Sequence, residues 1–371
     1  MEFSYWEYKS WLSRIDFTVV GSGIVGLNCA LRLREKYPNA KTVVLEKGVL
    51  PQGASTKNAG FACFGSLSEI LSDLRGHSRE EVFALVRERW EGIQFLRRLL
   101  GDSQMHFRQQ GGHEVFLSGR DTSFGQCRDR MENINAWLAP IFGSPPFVLT
   151  PNVFRFHQVR ENYITHQYEG QLDTGKMMMA LLALAHKKGI IILNSCTLQE
   201  FTENKNGVSL KTDRFETSTQ NVFIATNGFA RELISSAVQP ARAQVLITKP
   251  IPDLGIRGTF HMDAGYYYFR NVGNRLLLGG GRNLDLKGEA TTLFGKTPLI
   301  QNALEELLSQ VILPETPFEI AHRWSGIMGI GEHKFPIVEQ FSDRVFGGIR
   351  LGGMGVAIGS TVGRNLADLL S

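Results

Sequence analysis

The sequence is poor in cysteine. Cys29, Cys63, Cys127 and Cys196 are its only four, and no two form a C-x-x-C pair. That scatter argues against a disulfide framework or a thiolate zinc site and reads as buried or incidental thiols in a reducing compartment. No apolar run reaches the roughly 18 residues needed to cross a bilayer. The N-terminus, MEFSYWEYKSWLSRI, interrupts its aromatics with charges and lacks a signal-peptide core. A cytoplasmic location is expected, with the N-terminal aromatics forming an amphipathic helix packed on the body or on a partner. No Lys or Arg run resembles a nucleic-acid tail, and a net charge of +4 is mild, so no nucleic-acid partner is expected. The nine histidines are scattered, His157 and His166 included, and no metal site is expected.

Glycine is plentiful, with 39 residues gathered largely in four clusters. The first lies in IDFTVVGSGIVGLNCALRLREKYPNAKTVVLEK. Here a hydrophobic strand, Phe17 to Val20, meets a glycine turn, an amphipathic helix to about Lys36 and a second strand, Thr42 to Glu46, making a βαβ unit. Gly21-Ser22-Gly23-Ile24-Val25-Gly26 fits G-x-G-x-x-G in the required context. Gly21 permits the tight turn, Gly23 lets the backbone approach a pyrophosphate at the helix N-terminus, and Gly26 allows close helix–strand packing. Glu46, twenty residues after Gly26, is placed to accept hydrogen bonds from both ribose hydroxyls. An acid there repels a 2′-phosphate, so FAD or NAD is favoured over NADP.

The other clusters lie further along. GASTKNAGFACFGS, Gly53 to Ser66, holds few bulky side chains. NVFIATNGFA places Thr226, Asn227 and Gly228 at a strand end, and GGIRLGGMGVAIGSTVGRNLADLL places Gly352, Gly353 and Gly355 before a C-terminal helix. Taken together and in order, with the EGQLD-then-helix stretch from Glu169, they resemble the D-amino-acid oxidase type of FAD-dependent oxidoreductase. That group includes glycine oxidase, sarcosine oxidase and γ-glutamylputrescine oxidase. The resemblance implies an α/β fold: a discontinuous Rossmann-like FAD-binding domain of the glutathione-reductase type (1–85, 155–235 and 325–371). An α+β substrate domain on a mostly antiparallel sheet (86–154 and 236–324) is inserted into it. It implies that Gly53–Ser66 runs along the FAD and over the flavin ring. Ser55 and Thr56 would supply hydroxyls, Ala59 and Gly60 backbone contacts, and Phe61 would border the substrate. Lys47, beside Glu46, and Leu198 join the expected cofactor contacts. The helix start at Met354-Gly355-Val356, with Gly353 before it, would face the N1 and C2-carbonyl edge of the flavin, and Arg350 could add a full charge.

The resemblance further implies oxidation of a C–N bond by hydride transfer to flavin N5, so that positioning outweighs acid–base chemistry. A tyrosine on the strand matching GYYYF would hold the substrate. Registering that hairpin on RLLLG selects Tyr267, with Tyr266 and Tyr268 on the opposite face. Where amino-acid-oxidising relatives keep a carboxylate-binding Arg, this chain has Met328, and Arg282 is the nearest alternative cation. Leu277 matches the lysine linked to oxygen activation in sarcosine oxidases, leaving the electron acceptor open. Ser325, Gly326 and Met328 replace one covalent flavin attachment point and Lys57 and Asn58 the other, so tightly bound, non-covalent FAD is expected. His322, Arg323 and His333 lie near the expected flavin site in sequence. The expected partner is a small-molecule amine. A flavin enzyme acting on tRNA bases and a flavin-holding electron-transfer subunit are the competing readings.

Overall fold

The computed structural model describes residues 2–119, 123–234 and 237–370. Its first sheet has the strand order Ile337–Ser342, Val345–Ile349, Glu216–Ile224, Ile15–Val20, Thr42–Leu45, Ile191–Leu193. Leu198–Asn204 and Gly207–Thr212 extend it as an antiparallel flap on Glu216–Ile224. Ile15–Val20 lies centrally, parallel to both neighbours. Its near-continuous burial is what a sheet covered on both faces demands, and the unbroken apolar run VV in IDFTVV supplies it.

The helices beside this sheet approach it unusually closely. A Cβ on Gly26 would lie 1.9 Å from the Gly21 carbonyl oxygen. One on Gly363 would lie 2.3 Å from the Val25 oxygen, so helices Ile24–Lys36 and Gly355–Asp368 meet backbone to backbone. Arg79–Leu100 packs on Gly355–Asp368, where a Cβ on Gly92 would lie 2.1 Å from the Ala357 oxygen. It starts at a Ser78/Glu81 capping box and stops at Gly101, whose φ is 85°. Val82, Leu85, Val86, Ile93 and Leu96 are buried as the periodicity predicts, whereas Trp90, Phe95 and Leu99 are half-buried. Arg89, outside the apolar reading, is buried among them.

The second sheet runs Ile320–Ile330, Gln239–Thr248, Arg275–Gly280, Tyr267–Val272, Thr259–Met262, Gly112–Glu114, Asn162–His166, Phe147–Pro151. It is antiparallel apart from the Thr259–Met262 and Gly112–Glu114 pair. One face packs Phe260, Phe269, Leu276 and Leu278 against Leu304 and Leu308. The other carries Val245 and Leu277, with Tyr268 and Trp324 packed against them, and meets Ala59 and Phe61.

Within FRQQGGHEVFLSG the strand Gly112–Glu114 pairs with partners distant in sequence. Asn162–His166 and the start of Ile320–Ile330 pair within the second sheet, so strand pairing departs from the expected division at 155 and at 325. The N-terminal turns, Tyr5–Glu7 and Tyr8–Leu12, bury only Leu12, and Tyr5, Trp6, Tyr8 and Trp11 stay exposed. Tyr5 and Trp6 contact each other and Lys9, while Phe3 meets Phe215 of the body edge-on at 5.9 Å. Among the described residues no helix is long and apolar enough to cross a membrane.

Candidate active site

A cavity of about 550 Å³ is lined by residues of both sheets. One wall is backbone. Gly21, Gly23, Ile24 and Val25 line it where the strand Ile15–Val20 turns into its helix, and Gly352 to Val356 line it at the start of Gly355–Asp368. Neither helix start is capped by the side chain of its own N-cap residue, Gly23 or Met354, and the positive ends of both dipoles open on this space, with Ser55 Oγ on the first amide, Ile24. Gly352 and Gly353 hold φ of 56° and 85° to make the second turn, a conformation that favours glycine.

Glu46 ends its strand at this wall and is buried. Its Oε2 accepts from the Ser22 amide (3.1 Å) and hydroxyl (2.8 Å), and its Oε1 accepts from the amides of Gly48 (2.9 Å) and Gln52 (3.3 Å). The expectation that it serves ribose hydroxyls is therefore amended: four protein donors already reach it, and it also closes the glycine turn.

Gly53–Ser66 is more ordered than its small residues suggest. It forms a short helix, Ala54–Lys57, and a strand, Phe61–Ala62, paired with Gly170–Gln171. Ser55 Oγ accepts from the Ile24 amide at 2.9 Å. Buried Arg270 donates to the carbonyls of Ala59 and Leu172, and buried Arg89 to that of Phe64. Trp324 Nε1 donates to the Lys57 carbonyl at 2.9 Å. The segment is clamped from behind by side chains while its front faces the cavity.

Of the residues expected at the cofactor, Gly21, Gly23, Ile24, Val25, Glu46, Lys47, Ser55, Ala59, Leu198, Thr226, Asn227, Gly353, Met354, Gly355 and Val356 line the cavity. Six do not. Ser22 turns inward to Glu46, and Gly26 is pressed on Gly21. Thr56 Oγ1 donates to the Pro51 carbonyl at 2.6 Å. Gly60 backs onto the Leu172 oxygen and the Arg270 guanidinium, and Gly228 lies under the Met328 carbonyl. Arg350 corrects a further expectation: its Nε donates to the Phe335 carbonyl at 2.8 Å, away from the cavity, and its amide binds Asn227 Oδ1. His322, Arg323 and His333 also lie outside the lining; Arg323 pairs with Glu305 at 2.8 Å.

The opposite wall is built from side chains. Phe61, Arg282 and Met328 line it, but Tyr267 does not; Tyr266 and Tyr268 do. Tyr268 sits opposite Gly279 in the hairpin, and its ring occupies the space a Cβ there would fill. Alternation then sends Tyr267 to the other face, against the second-sheet core. The aromatic run does not say which phase faces the cavity, and the hairpin does not either, since Tyr267 and Tyr268 both pair with a glycine, Gly280 and Gly279. His261, Cys63, Glu69 and Lys334 also line the cavity and were not expected there from sequence, and Lys57 and Asn58 line it as well. Leu277 lies outside it in the apolar cluster with Val245 and Ala59.

Behind this wall lies a buried polar group. His261 Nε2 is 3.3 Å from Glu169 Oε2, and Glu169 Oε1 accepts from the Phe64 amide at 2.8 Å. Burial pushes His113 and His166 down to about 4, so both are neutral. Glu114, held by Ser66 and Ser68, is raised by burial to about 7.

These features define a dinucleotide site of the βαβ type, enclosed between a mixed sheet with a parallel centre and a second, mostly antiparallel one. FAD fits the residues present: two helix starts led by glycine turns converge on the cavity, and Thr226 Oγ1, buried in its wall, has no partner among the described residues. A family model described as DAO, FAD dependent oxidoreductase, matches residues 16–369, and the chain belongs to that family. It is an FAD-dependent oxidoreductase.

Similar proteins agree in fold. The L-proline dehydrogenase from P. horikoshii superposes with a TM-score of 0.77 at 18% identity, covering 97% of this chain and 94% of that one. Glycine oxidase from Geobacillus kaustophilus gives 0.77 at 18%, covering 96% and 94%. By sequence, the probable oxidoreductase OrdL of Haemophilus influenzae is 20% identical over 97% of this chain and 83% of its own length. The bifunctional protein ThiO/ThiG of Synechocystis sp. is 22% identical over 62% of this chain, and the match spans about a third (32%) of its length.

Proposed function

We propose that the protein oxidises a C–N bond of a small amine or amino-acid derivative. The observation that carries this reading is the division of the cavity into a backbone wall of glycine turns and a side-chain wall of Tyr266, Tyr268, His261, Arg282 and Met328. FAD, when bound, supplies the hydride acceptor. The chain supplies the rest. Gly21, Gly23, Ser55, Thr226 and the amides from Gly353 to Val356 hold the cofactor, while Glu46 fixes the first turn. The segment Ala59 to Cys63 is kept in place by Arg270 and Arg89. Phe61, Tyr266, Tyr268 and Met328 exclude water and orient the substrate so that its α-hydrogen faces the acceptor. Relatives titled glycine oxidase, L-proline dehydrogenase and iminodiacetate oxidase support the substrate class.

Anaerobic addition of a panel of amines and amino acids to the yellow holoprotein tests the reading. At least one bleaches the flavin band; if none does, C–N oxidation is the wrong assignment. Acid precipitation checks the mode of binding, with all yellow colour expected in the supernatant if no covalent bond holds the flavin.

A further inference from the structure

His261 stands on Thr259–Met262 directly across from Tyr268, and its ring lines the cavity. The Phe61 ring meets it edge-on at 5.3 Å, fixing its plane. Its Nε2 lies 3.3 Å from Glu169 Oε2 as an ion pair bent out of hydrogen-bond alignment. Glu169 is itself buried, its Oε1 accepting from the Phe64 amide at 2.8 Å. Among the described residues nothing hydrogen-bonds Nδ1. An imidazole held through one nitrogen, with the other free at a cavity wall, is a donor without an acceptor.

Resting on the function proposed above, we propose that His261, paired with Glu169, donates its Nδ1–H to a carboxylate of the substrate, serving as the anchor that Met328 cannot be. The surroundings support a charged ring. Burial by itself would lower the His261 value; the Glu169 carboxylate, with Glu69 and Glu114 adding, outweighs it and leaves His261 above the ordinary imidazole value. The other groups around it do not compete as cations. His113 and His166 are neutral, Cys63 is pushed up by burial, and the Tyr268 phenol is raised to about 12. Glu69 has one oxygen on the Ser66 amide, and Glu114 is occupied by Ser66 and Ser68. His261 is thus the charged donor of this cluster, ion-paired to Glu169 through Nε2, and a substrate carboxylate would accept a charge-assisted hydrogen bond from its Nδ1–H.

The test is binding, not turnover. Benzoate and acetate, with benzamide and acetamide as uncharged counterparts, are titrated into the holoprotein between about pH 6 and 10 and followed by flavin absorbance and calorimetry. The acids bind at least tenfold more tightly than the amides, and their affinity falls through one ionisation above 6.5, the ordinary imidazole value. His261→Gln weakens benzoate roughly 10- to 100-fold, the scale of a charge-assisted hydrogen bond, and flattens the pH profile. Glu169→Gln moves the midpoint to lower pH. Acid binding that is absent or independent of pH in the unaltered protein overturns the proposal without any variant. So does an unchanged profile in folded His261→Gln. If amines bleach the flavin but acids do not bind, the anchor falls and the C–N assignment stands. If acids bind with the His261 profile and no amine bleaches it, the reverse holds.

Discussion

The two walls of the cavity are built on different principles. The wall from Gly21 to Val25 and Gly352 to Val356 presents main-chain amides, and its requirement is the absence of side chains. The wall from His261, Tyr266, Tyr268 and Met328 presents side chains whose direction is set by strand phase and by what lies opposite, such as Gly279 beneath Tyr268. A ligand gripped by backbone tolerates little change in the first wall but does not read its chemistry. Selectivity belongs to the second.

Substitutions that separate the walls should differ in kind. The largest effect is expected at Gly26→Ala, where the new Cβ would fall 1.9 Å from the Gly21 carbonyl oxygen. The turn and helix cannot both survive, and the protein should purify colourless or fail to fold, by visible absorbance and circular dichroism. Acid should next strike beneath the side-chain wall. His113 and His166, pushed by burial to about 4 from 6.5, contribute stability that is fully present above 6.5 and lost as pH falls toward 4. Each contributes on the order of 3 kcal/mol at most. Urea unfolding at about pH 7 and pH 4.5 measures the loss, and a flat profile would mean that these rings are not buried neutral.

Tyr268→Ala should slow flavin reduction by an active amine roughly tenfold to a hundredfold through lost positioning. Tyr267→Ala should instead lower stability by about 2–4 kcal/mol with little change in that rate; the opposite pattern would restore Tyr267 to the cavity. Glu46→Gln, which keeps one acceptor oxygen, should weaken FAD by roughly tenfold in apoprotein reconstitution. Smallest of all, Gly125→Ala, in open space on helix Ser123–Phe142, should raise the unfolding free energy by about 0.5–1 kcal/mol and leave the colour unchanged.

The backbone wall was legible because its requirement is written locally. A strand, Gly21-x-Gly23-x-x-Gly26 and an acid at Glu46 occupy one short stretch, and the glycines before Gly355–Asp368 occupy another. The errors there concern direction. Thr56 and Arg350 have the right chemistry for a cofactor contact, but nearby carbonyls of Pro51 and Phe335 capture their donors. The side-chain wall was half legible: Phe61, Arg282 and Met328 reach it, while Tyr267 was out of phase by one residue. A strand's period of two makes that slip reverse every side chain. Arg89 and Arg270, which look like surface charges in sequence, are buried clamps on a segment far away in the chain.

By itself the sequence determined the nucleotide-binding turn, the helix starts and the placement of small residues, since backbone geometry and close approach depend on the identity of a few neighbouring residues. Only the tertiary structure decided which tyrosines face the cavity and that Glu169 meets His261, because those contacts join residues 92 positions apart and the burial that sets their charge exists only once the two sheets have closed.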